Sequence, residues 1–453
     1  MGHLVRWKSA MSWLRSRRAV FYLLLALVTI AIENEDEILR GIGLGECDSF
    51  TLPVRMFYQR FVTVGHSLRA HRVVVVTYSA RDIPALAEPC NKRPLIAALL
   101  RRLAAPDIAP SVIAVDHWFD PTYCTQTKDD QERSKELRDA LTEISVNIPI
   151  VLGVDSDSWD ELSRDPDLPQ LVNKGFLRKN QILKPSAFTG PNLRFGLVRL
   201  SCDNRRIPIE WCVYPSRDEL LKGGGVRQCL IKYSLAYETA SLADSKVNQA
   251  LQPLIKNDEH PFTGFISEAG FSPLKDGAPL KASALLCQSG VQGPAGGMAD
   301  WTHCNSLSPA ELRSLRGSVL LLGEDSPTDW HTSVLGKVPG YVLHANYIDA
   351  LLSDYYFRPL NAVVELSLTL FGILLLVTVF ELAPSIPWGF AASTFVLVAI
   401  VIVCNVIGLY FKWFLGFWLA LVPIPIFEML YYLRAGSARG HLGTAESNAP
   451  SKE

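Results

Sequence analysis

The chain has 453 residues, 49% hydrophobic and 20% charged, with 44 basic against 45 acidic side chains. That length accommodates two or three domains, and the apolar content excludes disorder as a description of the whole. A net charge of −1 leaves no global basic field for nucleic acid.

Arg6, Lys8, Arg15, Arg17 and Arg18 precede the uncharged run AVFYLLLALVTIAI at 19–32, and Glu33, Glu35, Asp36 and Glu37 follow it. By the positive-inside rule this places the N-terminus in the cytoplasm. The run is short of the ~20 residues a comfortable span needs, so a cleaved signal peptide is the rival reading. Ile30-Ala31-Ile32 offers no small-x-small cleavage site, and Trp13 and Arg18 can snorkel to extend the span, which favours an uncleaved anchor.

Further along, the β-branched run VVVV at 73–76 reads as a buried strand. Leu95, Ile96, Leu99, Leu100 and Leu103 repeat at helical spacing and leave Arg101 and Arg102 outside. VIAV at 112–115 is a second strand, ended by Asp116. Leu137, Ala140, Leu141 and Ile144 define the next helix, and 148–152 gives a third strand, closed by Gly153. This alternation predicts an α/β fold, a parallel or mixed sheet flanked by helices with right-handed crossovers.

The pattern then changes. Residues 195–214 hold two extended runs about Asp203-Asn204, as a hairpin would. Gly, Pro and Ser crowd 253–297, which reads as a loop-dominated insertion. Ser308-Pro309-Ala310-Glu311 is a capping box that opens a short helix stopped at Gly317. SVLLL at 318–322 is another buried strand, and YVLHANYIDALL takes a short strand from Tyr341 into a helix with Ala345, Ile348, Leu351 and Leu352 on one face. The triple glycine at 223–225 lacks the strand and helix of a phosphate loop.

Three apolar stretches close the chain, at 361–380, 390–409 and 413–432, each long enough to cross a bilayer. Lys412 marks a tight hairpin, and Trp388, Trp413, Trp418, Tyr431 and Tyr432 lie where interfacial aromatics sit. Glu365 and Glu428 fall near span ends, where the interface can solvate them, and Asn405 lies within a span. Pro384, Pro387, Pro423 and Pro425 mark loops and kinks. Arg434 and Arg439 favour a cytoplasmic C-terminus.

The expected organisation is therefore a cytoplasmic basic tail (1–18), an N-terminal transmembrane anchor (19–32), an extracytoplasmic domain (33–357), three transmembrane helices (358–433) and a cytoplasmic tail (434–453). That makes four membrane helices, one N-terminal and three C-terminal. The last tail is too short for a folded effector. Of nine cysteines, Cys404 lies in a span and eight fall in the exported segment, where an oxidising compartment permits up to four disulfides. Proximity favours Cys202 with Cys212 and Cys287 with Cys304. Without a CxxC or HxxxH pair, neither metal nor cofactor is expected.

Four passages, RPLIAALLRRLAAPDIAPSVIAVDHWFD, IPIVLG, SCDNRRIPIEW and LRGSVLLLGEDSPTDWHTSVLGKVPGYVLHANYIDALL, together with the three-span set, resemble the extracellular sensor domain called CHASE, subtype two. The resemblance implies a periplasmic sensor in a signal-transducing membrane protein, of a kind often joined to kinase or cyclase modules. No such module follows the spans here, so the stand-alone form is expected to signal to a separate protein.

In open α/β sheets ligands bind outside the carboxyl ends of the strands. That rule selects Thr77, Tyr78, Asp116, His117, Gly153, Asp155, Glu324 and Asp325, with Asp329, His331 and His344 close in sequence. Asp116, His117, Asp325 and His344 are the candidate ligand-binding residues. The plainer alternative is that Asp116 and Asp325 cap loops and His344 is a satisfied buried histidine. The expectation is a non-enzymatic sensor in a bacterial inner membrane. Its partners would be the lipid bilayer, a small ligand or stimulus, and a separate signalling protein, with a homodimer left open and no nucleic acid. A membrane-anchored periplasmic hydrolase using Asp116 and His117 with His331 or His344, and an assembly protein without ligand, are the alternatives. In the sensor reading, a ligand shifts the helix over 345–352, and SDYYFRP passes the shift to the span near Asn361.

Overall fold

The computed structural model describes residues 20, 22, 24, 72–119, 124–155, 181–182, 188–200, 206–214, 230–256, 261–263, 278–287, 307–333, 336–413, 415, 418 and 421–433. The chain divides into two units, Phe50–Tyr356 on one hand and Met1–Ser49 with Phe357–Glu453 on the other.

In the first unit, strands and helices alternate as β1 (Val73–Tyr78), α1 (Lys92–Leu103), β2 (Val112–Trp118), α2 (Lys128–Ile144), β3 (Ile150–Val154) and β4 (Leu193–Leu197). There follow β5 (Glu210–Tyr214), β6 (Leu230–Tyr233), α3 (Leu235–Ala243), α4 (Ser245–Lys256), β7 (Leu280–Lys281) and α5 (Ala282–Leu286). The unit closes with α6 (Pro309–Ser314), β8 (Val319–Glu324), β9 (Trp330–Ser333), β10 (Gly336–Pro339) and α7 (Gly340–Leu352). Six strands form one parallel sheet in the order β4-β3-β2-β8-β1-β7.

Side chains alternate along a strand, and here that alternation sorts the core into two layers. Val74, Val76, Ile113, Val115, Leu320 and Leu322 pack with α1 and α2 on one face. Val73, Val75, Val112, Ala114, Val319 and Leu321 pack with α3, α4 and α7 on the other. Both faces are covered, which is why these strands read as unbroken apolar runs.

Helix ends are fixed by side chains. Thr127 Oγ1 accepts from the Asp130 amide at 3.1 Å to start α2, and Ser234 Oγ accepts from the Tyr237 amide at 3.1 Å to start α3. Ser308 and Glu311 form the expected capping box on α6. Helix α7 is buried almost all round, as an apolar helix must be. Its close seat on the sheet requires Gly323, because a Cβ there would overlap the Tyr341 side chain. At its other end the Arg72 guanidinium donates to the Leu352 carbonyl at 3.4 Å, and the Arg72 amide donates to Asp349 Oδ1 at 3.3 Å. Asp354, at φ 51°, takes the left-handed turn that ends the helix, with Tyr355 N donating to Ala350 O at 2.8 Å and Asp354 N to Leu351 O at 3.3 Å.

Several sequence expectations are corrected. The two runs within 195–214 do not form a hairpin: β4 joins the main sheet beside β3, whereas β5 pairs antiparallel with β6 in another sheet. Within the stretch read as loop-dominated, the described residues include the edge strand β7 and the helix α5, and most of the rest lies outside the described residues. No strand begins at Tyr341; the extended residues come earlier, in the β9–β10 hairpin, and α7 starts at Gly340. A disulfide joins Cys90 to Cys124, with Cα atoms 5.4 Å apart, a pair that sequence proximity did not suggest. Cys287 is also disulfide-bonded. Cys202 and Cys304 lie outside the described residues, as do the Cys212 side chain, the triple glycine and Asp203-Asn204.

In the second unit, α8 (Ala362–Leu382) begins at Asn361, whose side chain accepts from the Val363 amide at 2.9 Å. Then follows α9 (Ile386–Phe411), ended by Lys412 in the left-handed conformation at the expected tight turn. Among the described residues, Val363–Leu382 and Ile386–Gly408 are the two stretches long and apolar enough to cross a membrane, not four. Among the described residues at and beyond 413, the apolar helix is Ile424–Leu433, shorter than the expected span at 413–432. Pro425 sits in the first turn of this helix, where its missing amide donor would be unpaired anyway, and Phe427 N donates to Pro423 O at 3.0 Å. Of the N-terminal run only Val20, Tyr22 and Leu24 are described, all helical; the two tails lie outside the described residues. Phe371, Leu374 and Phe395 project outward, 65%, 64% and 74% exposed, as lipid-facing side chains would. Glu365 and Glu428, expected in solvated positions, are buried, and Glu428 accepts a hydrogen bond from the Tyr22 hydroxyl.

Candidate functional site at the strand ends

The carboxyl ends of β1, β8 and β2 bring together most of the acidic and imidazole groups singled out above. Thr77, Gly323 and Asp116 share one rung of the sheet, and Tyr78 and Glu324 the next. Between β2 and β3 the register breaks: Val115 pairs with Leu152 and Trp118 with Gly153, so Asp116 and His117 have no β3 partners. Such bulges re-aim side chains at sheet rims. Gly153 accommodates the bulge, since a Cβ there would lie 3.0 Å from the His117 nitrogen.

Alternation sends the neighbouring Asp116 and His117 to opposite faces. On the α1 face, His117 Nδ1 lies 3.6 Å from Glu324 Oε2, which Lys92 Nζ holds at 2.7 Å. Burial pushes the His117 imidazole down to about 3, and the charges of Lys92 and Arg93 add to this, so the ring is neutral and Lys92 is the cation paired with Glu324. Tyr78 is 1% exposed and its hydroxyl has no hydrogen-bond partner among the described residues. Burial, then Glu324, Asp116 and Asp329, hold that phenol well above its ordinary range.

On the α7 face, His344 Nε2 donates to the Val198 carbonyl at 3.0 Å and lies 3.7 Å from Asp116 Oδ1. Burial pushes this imidazole down to about 4, against the opposing pull of Asp329 and the Val198 carbonyl. The neutral ring therefore keeps its proton on Nε2. Its Nδ1 is a lone-pair acceptor, buried and without a partner among the described residues. Beside it the Asp116 carboxyl, only 9% exposed, is raised well above the usual range by burial and then by Asp329 and Glu324.

Asp329 acts by its charge on groups of both faces, on Tyr78 and on Asp116 and His344. Its Oδ1 lies 3.1 Å from His331 Nε2, and its Oδ2 would be 2.6 Å from a Cβ at Gly340. Only glycine lets the carboxylate come so close to the first turn of α7, where the helix dipole favours negative charge.

The CHASE2 domain model matches residues 25–380. The chain belongs to the CHASE2 family. CHASE2 is an extracellular sensory domain, and in this chain the match runs from within the N-terminal apolar stretch through β1 to α7 and on into α8. Neither the comparison with curated proteins nor that with solved structures returns a match.

Of the four candidates in this CHASE2 domain, the structure brings Asp116 and His344 together and places His117 across the sheet from them. Asp325 meets none of the three directly: its amide donates to the Tyr78 carbonyl at 2.9 Å, and its charge helps hold the Tyr341 phenol above its ordinary range. Lys92 escaped the sequence reading, although the first residue of a helix that follows a strand in a parallel sheet belongs at the strands' carboxyl ends. Among the described residues the one group with three metal-ligating atoms in mutual reach is Glu88, Cys90 and Asp130, where the Cys90 sulfur is already bound to Cys124.

Proposed function

We propose that this CHASE2 protein is an integral membrane sensor whose domain over 33–357 detects a small ligand or stimulus outside the cytoplasm. It signals through its membrane helices to a separate partner protein. In this reading the membrane is a bacterial inner membrane and both termini are cytoplasmic, as the flanking basic residues favour.

One observation carries the proposal. Helix α7 holds His344 against Asp116, and its last residue, Leu352, is followed by α8 at Ala362. A change at the Asp116–His344 pair therefore acts on the helix that leads into the membrane segment. A buried carboxyl repelled by two others, beside an unpaired imidazole nitrogen, costs stability, so the arrangement suits a site that exists in two states. A stimulus shifts the balance only as far as its affinities for the two states differ.

The test uses cysteine pairs placed on α8 and α9 of the full chain, with the free Cys404 replaced by Ala. Asp116→Asn should change the crosslinking pattern by biasing one state. An unchanged pattern in both Asp116→Asn and His344→Phe would remove the proposal.

A further inference from the structure

Four carboxylates gather at the strand ends, and two of them have a partner at hand: Lys92 holds Glu324 and His331 sits on Asp329. Among the described residues Asp116 has only the neutral His344 beside it, across 3.7 Å, and it is nine-tenths buried. His344 is 1% exposed; its Nε2, the ring nitrogen nearest Asp116, has committed its N–H to the Val198 carbonyl, and Nδ1, the other ring nitrogen, is a buried acceptor without a partner among the described residues. A buried acceptor without a donor is costly, and native structures rarely leave one so unless something else supplies the donor.

A ligand that completes this group must bring positive charge for Asp116 and an N–H for His344. A bare metal ion fits poorly, because among the described residues no three ligand atoms converge at this place. We propose that the Asp116–His344 end of the sheet binds a small organic cation with N–H donors, of the primary-ammonium class. This deepens the sensor reading and rests on it. The ammonium donates to the Asp116 carboxylate and to His344 Nδ1, and Asp116, drawn to its ionised form, releases its proton to solvent.

The test uses the full chain in lipid nanodiscs, titrated with ammonium, methylammonium, ethanolamine and putrescine at millimolar concentration. Tetramethylammonium, equally charged but lacking N–H, is the contrast. At least one of the four should raise the thermal midpoint saturably, with proton release visible as a heat that changes with the buffer's ionisation enthalpy, while tetramethylammonium does nothing. Asp116→Asn should weaken the binding about tenfold or more. Should that variant fail to fold, His344→Phe, which keeps the ring and its burial but loses Nδ1, carries the comparison. No saturable response to any of the four, an equal response to tetramethylammonium, or full binding by a folded Asp116→Asn protein would overturn the assignment. Crosslinking between α8 and α9 in the same nanodiscs separates the two readings. If Asp116→Asn alters it while the amines do not bind, the sensor reading stands and the ammonium assignment falls; if amines bind and crosslinking never changes, the assignment stands and the signalling reading falls.

Discussion

His344 and His117 have opposite neighbours but share one cause of perturbation, removal from water, and this gives the domain a definite response to acid. Both are neutral when folded, with values about 4 and about 3 against an ordinary 6.5. As pH falls below 6.5 the unfolded chain takes up protons that the folded chain refuses, so their contribution is complete above that value and is lost towards the folded values. Asp116 works with the opposite sign. Its raised folded value means that protonation favours the fold, and this contribution is present below 3.8 and disappears as pH rises through the folded value. In denaturant titrations across this range, His344→Phe should reduce the slope of stability against pH by up to about 1.4 kcal/mol per unit. An unchanged slope between 6.5 and 4 would mean that His344 is charged in the folded protein. Asp354 offers a second residue-scale test, because an L-residue held left-handed at a helix end carries strain that glycine does not. Asp354→Gly should raise the denaturant midpoint, a gain of about 0.5–1 kcal/mol.

Among the elements, α7 and its seat matter most. Gly323 lets Tyr341 lie flat on the end of β8, so Gly323→Ala must push α7 away or shift the strand. A loss of about 2 kcal/mol is expected, together with increased exchange of α7 amides. The Cys90–Cys124 bond ties the turn before α1 to the segment before α2, where Ser134 Oγ also donates to the Cys124 carbonyl at 3.0 Å. It closes a separation of 34 residues, and replacing both cysteines by alanine should cost about 3 kcal/mol, read as a lower denaturant midpoint. The elements that the sequence reveals are those whose signal is local. β1, β2, β3 and β8 are apolar runs because both their faces are covered, and the Ser308–Glu311 box is a contact within one turn. The edge strand β7 is two residues long and sits in a Gly/Pro-rich stretch, so no periodicity marks it. Helix α3 also carries a local signal, since Ser234 caps a run with Leu235, Ala236 and Ala240 at helical spacing.

For the whole molecule, what the sequence conceals is long-range. β8 comes last of the six strands in the chain yet inserts between β1 and β2, and this brings Glu324 beside Lys92 and His117. Strand-end logic located the group of candidate residues without this order, because the carboxyl ends of parallel strands lie at one edge whatever their arrangement. Alternation along β2 already sets Asp116 and His117 on opposite faces; what the sequence does not reveal is which partners each meets there, which follows from the register with β8 and the bulge against β3. Among the described elements, α7 is the one followed in the chain by α8, so the two faces of the sheet are expected to differ in consequence. Changes at His117 and Lys92 should alter stability with little effect on α8, whereas changes at Asp116 and His344 should reach it.

Amide hydrogen exchange along α7 and the first turns of α8 tests this most directly, comparing the wild-type chain with Asp116→Asn and Lys92→Ala in lipid nanodiscs. The account predicts altered exchange through 340–352 and into 362–366 for Asp116→Asn, and near wild-type exchange there for Lys92→Ala. Equal effects from the two substitutions, or a change from Asp116→Asn that stops at the strand ends, would contradict it.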